Sequence, residues 1–218
     1  YGIASRNPAK AEEFQQRFGF AKAYDSYEAL LDDPKIQAVY IPLPNNLHGE
    51  WVKKAASKGK HVLCEKPLSG SAKDVEEIIR FCDQAGVVFM EAFAYLHSPI
   101  IKEIKKTIEN GAIGKVTMAE ASFFILPPKP DDIRWKKETL GGGVYDVGCY
   151  PISLFLNLFE EAPKEVKAIA HFTDQGVDDL ADLLFSYEDG KKLNISCGMC
   201  TSQRADRFYL YGTEGTLE

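Results

Sequence analysis

Three residues carry the chemistry most easily read from the chain: Lys66 in Glu65-Lys66-Pro67, and Asp146 and Tyr150 in the run Gly141-Gly142-Gly143-Val144-Tyr145-Asp146-Val147-Gly148-Cys149-Tyr150. A charged pair directly after the apolar run His61–Cys64 is pushed to the carboxyl edge of a sheet. An ammonium held there can hydrogen-bond a substrate hydroxyl and stabilise its conjugate base. Pro67 biases Lys66 toward an extended backbone. If the second run is helical, Asp146 and Tyr150 stand at i and i+4 on one face. Gly148 then leaves room for a bulky neighbour, and Pro151 is expected to kink the helix. A tyrosine, a carboxylate and a lysine make a proton-transfer set, in which the lysine charge stabilises a tyrosinate and the carboxylate orients a hydroxyl. The plainer readings are a surface ion pair at Glu65-Lys66 and a capped helix with a packed tyrosine.

Other chain positions point to a cofactor. A dinucleotide fold normally places an acid near the end of its second strand to bind the ribose 2′-OH. Here Ser5-Arg6-Asn7 follows the first strand candidate, with no acid present. A hydroxyl followed by a guanidinium suits a 2′-phosphate, against the alternative of a solvated surface arginine. Pro42-Leu43-Pro44-Asn45-Asn46-Leu47-His48 contains a rigid turn whose prolines lack amide donors. Such a turn offers apolar surface and carbonyls to a ring. Asn46 is expected to cap the next helix, and His48 either belongs to this surface or is an exposed first-turn residue. The aromatics and acid of Glu91–His97 are expected to serve packing. Cys197 and Cys200 form a lone C-x-x-C without a second ligand pair, so no metal site is expected.

The elements that must position these residues come in two rhythms. Up to about residue 97, strands (Gly2–Ser5, 21–24, Ala38–Ile41, His61–Cys64, 87–90) alternate with helices (Pro8–Phe18, one beginning in a capping box at Asp25 and Glu28, 47–58, 71–85). This βαβα order predicts a Rossmann-type doubly wound parallel sheet, with ligands outside the strands' carboxyl ends. After Pro99 come a helix with the stripe Ile100, Ile101, Ile104 and Ile108, then long strand candidates (115–125, 165–172, 179–187, 192–199, 206–212). A helix over 144–159 interrupts them, and Glu188-Asp189-Gly190 marks a hairpin. The expected organisation is a dinucleotide-binding domain over 1–97 and an α+β domain with a large open mixed or antiparallel sheet over 98–218. Because Tyr1-Gly2-Ile3 reads as a strand under way and Gly215–Glu218 as a turn entering another, both domains are expected to be incomplete, with the first strand and its Gly-rich loop missing. A piece without that loop is expected to bind cofactor poorly.

Composition narrows the classes. The 218 residues carry a formal net charge of −6 with 45% hydrophobic residues, a soluble globular balance without the basic stripe of a nucleic-acid binder. No apolar run approaches the roughly 20 residues that cross a bilayer, and the opening residues do not read as a signal peptide. The five cysteines are scattered and odd in number, which fits a reduced, cytoplasmic compartment better than a disulfide framework.

Taken together, Ile41–His48, Glu65-Lys66-Pro67, Gly141-Gly142-Gly143 with Asp146, Gly148 and Tyr150, and Ile113-Gly114-Lys115-Val116 resemble the glucose-fructose oxidoreductase / inositol dehydrogenase / MocA family over essentially the whole chain. The resemblance implies a Rossmann domain, a second domain whose open sheet serves oligomer contacts in a homodimer or homotetramer, and a nicotinamide cofactor, NADP here with NAD possible. It implies Lys66 as the family's lysine and Asp146 as its substrate-orienting aspartate. Tyr150 falls where many members have histidine, as in the dimeric dihydrodiol dehydrogenase and xylose dehydrogenase branch, and Arg134-Trp135 resembles a segment that reaches the cofactor there. Leu96 stands about where that branch usually has an arginine. The implied catalytic set is Lys66, Tyr150 and Asp146. The implied cofactor-binding set is Ser5, Arg6, Pro42, Leu43, Asn45, His48, Glu65, Lys66, Arg134 and Trp135. The implied function is hydride transfer between NADP and a secondary alcohol or hemiacetal of a sugar or polyol. Rivals are a trans-1,2-dihydrodiol dehydrogenase using the same residues and a non-catalytic NADP-sensing protein.

Overall fold

The computed structural model describes residues 1–218 and divides into two compact units, Tyr1–Leu43 with Leu47–Ala92, and Pro44–Asn46 with Phe93–Glu218. In the first unit β1 (Gly2–Ala4), β2 (Lys22–Tyr24), β3 (Ala38–Ile41), β4 (His61–Cys64) and β5 (Phe89–Glu91) alternate with α1 (Pro8–Phe18), α2 (Tyr27–Asp32), α3 (His48–Ser57) and α4 (Ala72–Ala85). Every strand pairing is parallel, with β1 beside β2 and a trio in the order β3-β4-β5. Parallel neighbours need crossover helices, and the apolar stripes of α3 and α4 supply cover. Val52, Ala55, Ile78 and Cys82 pack with Ile41, Val62 and Cys64, all nearly or wholly buried. Each fully buried Val or Ile stabilises by about 1.5–3 kcal/mol.

Local chemistry explains the element ends. Asn7 caps α1 ahead of Pro8, and Gly19 closes it at φ 71°. Ser71 and Gly86 bracket α4. Two expected caps differ. Ser26, not Asp25, caps α2, its hydroxyl accepting from the Ala29 amide at 3.1 Å, because Ser26 is the last extended residue. The α3 helix is not capped by Asn46. A 3₁₀ turn over Asn45–Leu47 runs into it, and Leu47 holds the cap position without a side-chain bond.

The second unit contains α5 (Pro99–Glu109), β6 (Val116–Phe124), α6 (Cys149–Phe159), β7 (Glu165–Phe172), β8 (Asp178–Ser186), β9 (Lys192–Gly198), β10 (Ala205–Gly212) and β11 (Thr216–Leu217). Its six strands lie in the order β11-β10-β6-β9-β8-β7. The β6–β9 pair is parallel and the others antiparallel. Period-2 alternation splits the faces. Ala119, Ala121, Ala181, Leu183, Phe185, Leu193, Ile195 and Leu210 form a core with Phe155 and Leu158 of α6. The other face carries cross-strand rows such as Arg207–Ser122–Ser196–Asp182–Ile169. At the edge, β7 leaves Val166 51%, Ile169 80% and Phe172 63% exposed. The expected fold class holds in both units. No helix is long and apolar enough to cross a membrane.

Candidate functional site

In the first unit the loop after β4 is held by side chains from three other elements. The Tyr40 hydroxyl on β3 donates to Glu65 Oε1 at 2.5 Å. The Leu68 amide donates to Glu91 Oε1, at the end of β5, at 2.8 Å. The Pro67 carbonyl meets His48 Nδ1 at 2.8 Å, from the first residue of α3. Lys66 stands inside this clamp, before a cis peptide to Pro67. Burial pushes the Glu91 carboxyl up, opposed by the Leu68 amide and the charges of His48 and Lys66. Burial, with Glu91 and Glu65 adding, pushes the Cys64 thiol up to about 12. The clamp reaches the proline turn as well, since His48 Nε2 lies 2.7 Å from the Leu43 carbonyl oxygen. His48 was expected either at the cofactor surface or exposed. Its side chain is wholly buried, not exposed, and both ring nitrogens meet backbone carbonyls. Pro42 is exposed and Leu43 half-buried beside it.

At the end of β1, Ser5 Oγ accepts from the Asn7 amide at 3.2 Å, Asn7 caps α1, and Arg6 is exposed. The first turn of α1 contains no acid. A hydroxyl, a guanidinium and the N-terminus of an 11-residue helix are together a donor set suited to an anion.

In the second unit, Arg134 and Asp146 form a direct pair, Nε to Oδ2 at 2.8 Å, while Arg134 Nη1 also meets Asp132 at 3.2 Å. Although burial opposes its charge, the bonds to Asp146 and Asp132 hold the Arg134 guanidinium above its ordinary value. Trp135 Nε1 donates to the Pro128 carbonyl at 3.2 Å, which fixes the indole through its edge. The Asn45 amide donates to the Leu140 carbonyl at 3.0 Å. Tyr150 packs edge-on to Phe93 at 5.8 Å and tilted on Phe123 at 5.3 Å.

The backbone bearing Asp146 and Tyr150 is not one α-helix. Val144–Gly148 forms a π-helical turn that continues into α6. Pro151 has no amide hydrogen to give, and in the i→i+5 register its partner would be the Asp146 carbonyl. The Cys149 thiol meets that carbonyl instead, at 3.7 Å. The expected proline disturbance is therefore absorbed in the preceding turn. π-bulges of this kind frequently mark functional sites.

Sequence reasoning missed Asp178. Its buried carboxylate accepts from the Val144 amide at 2.7 Å and caps the segment that carries Asp146 and Tyr150. The glycines were the available signal. A Cβ on Gly142, whose φ is 117°, would lie 2.2 Å from Asp178 Oδ1. Close approach was legible there, but not its partner 36 residues further on (142 to 178).

Thus Lys66, Glu65, His48, Leu43, Pro42, Ser5 and Arg6 belong to the first unit, and Asn45, Arg134, Trp135, Asp146 and Tyr150 to the second.

Comparison with known proteins bears on both units. Residues 1–93 match the profile described as oxidoreductase family, NAD-binding Rossmann fold, and residues 101–218 match the GFO/IDH/MocA C-terminal domain. The chain is 40% identical over 218 residues to a D-xylose 1-dehydrogenase (NADP(+)) of Haloferax volcanii, covering 99% of this chain and 66% of that protein. It is 33% identical to the trans-1,2-dihydrobenzene-1,2-diol dehydrogenase of Mus musculus, covering 99% and 65%. A 3-ketoreductase from Actinomadura kijaniata, solved with NADP and TDP-benzene, superposes with a TM-score of 0.91 at 34% identity, over 99% of this chain and 66% of that one. The chain spans just under two thirds of the length of these relatives.

Proposed function

This chain belongs to the GFO/IDH/MocA family of oxidoreductases, and we propose that the whole protein is an NADP-dependent dehydrogenase acting on a secondary alcohol or hemiacetal of a sugar or polyol, an aldose such as xylose or glucose. The observation that carries the reading is Asp146, paired with Arg134, and Tyr150 on one π-turn and helix, with Lys66 on a loop clamped by Tyr40, His48 and Glu91. A sensor has no use for a prepared proton-transfer set.

The residues present fit the phosphate-bearing adenosine end of NADP. Ser5, Arg6 and the N-terminus of α1 offer donors for the 2′-phosphate, which favours NADP over NAD. Pro42 and Leu43 offer apolar surface, and Asn45, Glu65, Arg134 and Trp135 complete the set, with His48 acting through the backbone. When bound, the cofactor supplies or accepts the hydride at its nicotinamide ring. In the oxidative direction Asp146, oriented by Arg134, and Lys66 hold the substrate hydroxyl. Tyr150 takes its proton, and the positive charge of Lys66 stabilises the negative charge that develops on oxygen. In reduction Tyr150 returns the proton to the carbonyl oxygen.

The full-length protein is tested by absorbance of reduced nicotinamide, with NADP⁺ and NAD⁺ separately, against pentoses, hexoses, inositols and an aromatic dihydrodiol. Sugar turnover with NADP⁺ preferred is expected. A preference for the dihydrodiol would favour the second reading, for which the 33% identity to the mouse diol dehydrogenase speaks. Tight NADP⁺ binding without turnover of any alcohol would overturn both in favour of a sensor.

We also propose a cytoplasmic homodimer or homotetramer. Five cysteines, scattered and odd in number, suit a reducing compartment, and the helix-free face of the six-stranded sheet supplies an area for a second copy.

A further inference from the structure

The surroundings of His48 do not suit a neutral imidazole. Its two ring nitrogens lie 2.8 Å and 2.7 Å from the Pro67 and Leu43 carbonyl oxygens, and the side chain is 0% exposed. Carbonyl oxygens only accept, and neutral imidazole carries one N–H and one lone pair. In either tautomer one contact would press a nitrogen lone pair against a carbonyl lone pair. With both nitrogens protonated, both contacts become charge-assisted hydrogen bonds.

The charged groups nearby are of both signs. Glu91, fixed by the Leu68 amide, interacts electrostatically with His48 and with Lys66. On the loop after β4, Glu65 is held by Tyr40 of β3. From α4, Ile78 meets Gly49 beside the ring's own residue.

We propose that His48 is a positioning residue, an imidazolium locked between the Leu43 and Pro67 carbonyls that joins the proline turn and the lysine loop into one body. The two loops bear Pro42, Leu43 and Lys66, so their functional meaning rests on the reading above. The protonation state of His48 does not.

Neutron diffraction from deuterated crystals of the full-length protein near neutral pH reads the ring directly. Deuterium on both Nδ1 and Nε2 is expected, and a bare nitrogen overturns the inference whatever the enzyme turns over. Calorimetric NADP binding by His48→Gln, which can donate to one carbonyl but not bridge both, gives the functional arm. Dissociation constant and kcat are each expected to worsen by about ten- to a hundred-fold, and a folded variant that binds NADP like wild type overturns the coupling. If the variant does not fold, the wild type decides. A bare ring nitrogen there leaves one of the two loops unbonded to the ring and overturns the coupling as well. Two ring deuterons in a protein that turns over no alcohol would leave the inference standing and sink the proposed activity.

Discussion

The side chains nearest the proposed chemistry are each held by a nameable partner, and this makes their removal informative. In the full-length protein, Tyr150→Phe and Lys66→Ala are each expected to lower kcat by about 10²- to 10⁴-fold in steady-state assays. Unchanged kcat in both would sink the proton-transfer assignment. Arg134→Ala leaves Asp146 without its 2.8 Å partner, and a smaller fall is expected, rescued in part by Arg134→Lys because a point charge replaces only some of the planar fork. The cysteines separate by environment. Burial pushes Cys64 and Cys197 up to about 12 and, with Asp179, also raises Cys200, which is nevertheless exposed to reagent. Brief alkylation at pH 8 followed by mass spectrometry should label Cys200 and spare Cys64 and Cys197 until the protein is denatured. At this scale the sequence displayed types but not partners. Lys66, Asp146 and Tyr150 stood out because each follows a local signal, a strand end or a glycine run. Asp178, Tyr40 and Glu91 act across 34, 25 and 23 residues of chain, and no local pattern announces such a bond.

Elements position these groups, and their caps can be weakened separately from the chemistry. Asp178→Ala removes the acceptor for the Val144 amide and should destabilise by about 0.5–2 kcal/mol in denaturant titrations, with Asp178→Asn less harmful. Gly142→Ala should cost more, since it meets both a φ of 117° and the Asp178 carboxylate. Tyr24 on β2 gives a pH-dependent counterpart. Its hydroxyl donates to Asp33 at 2.7 Å and, ahead of the Lys35 amide and Lys22, holds the Asp33 carboxyl down to about 2. A lowered carboxyl contributes stability above its ordinary value and loses it as pH falls toward the lowered one. The stability gap between wild type and Tyr24→Phe should therefore be full at pH 6 and close between about 4 and 2. A gap of constant size down to pH 2 would show that the hydroxyl acts by packing alone. Strands and helices were legible because their periods are local, Glu165–Phe172 and Ala38–Ile41 to the residue. The π turn was not, because no apolar period marks an i→i+5 register over Val144–Gly148.

At the scale of the molecule, the sheet of the second unit is covered by helix on one face and presents polar and apolar rows on the other. Sequence alternation marked these strands as two-sided but could not order them, since β6 pairs with β9 and β10 across long separations. If copies associate through that face, Ile169→Lys, at a residue 80% exposed at the edge of the sheet, should shift the full-length protein toward monomer in sedimentation experiments while leaving cofactor affinity unchanged. A wild-type protein that is monomeric at all concentrations would overturn the assembly. Strand β7, with Val166, Ile169 and Phe172 on its surface, has a practical corollary. For Ile169, on the open face opposite Asp182, shelter would come from mass action, so dilution into a nanomolar assay would bare it. Specific activity measured there would drift downward with time on the bench, and a concentrated stock would keep better than a dilute one.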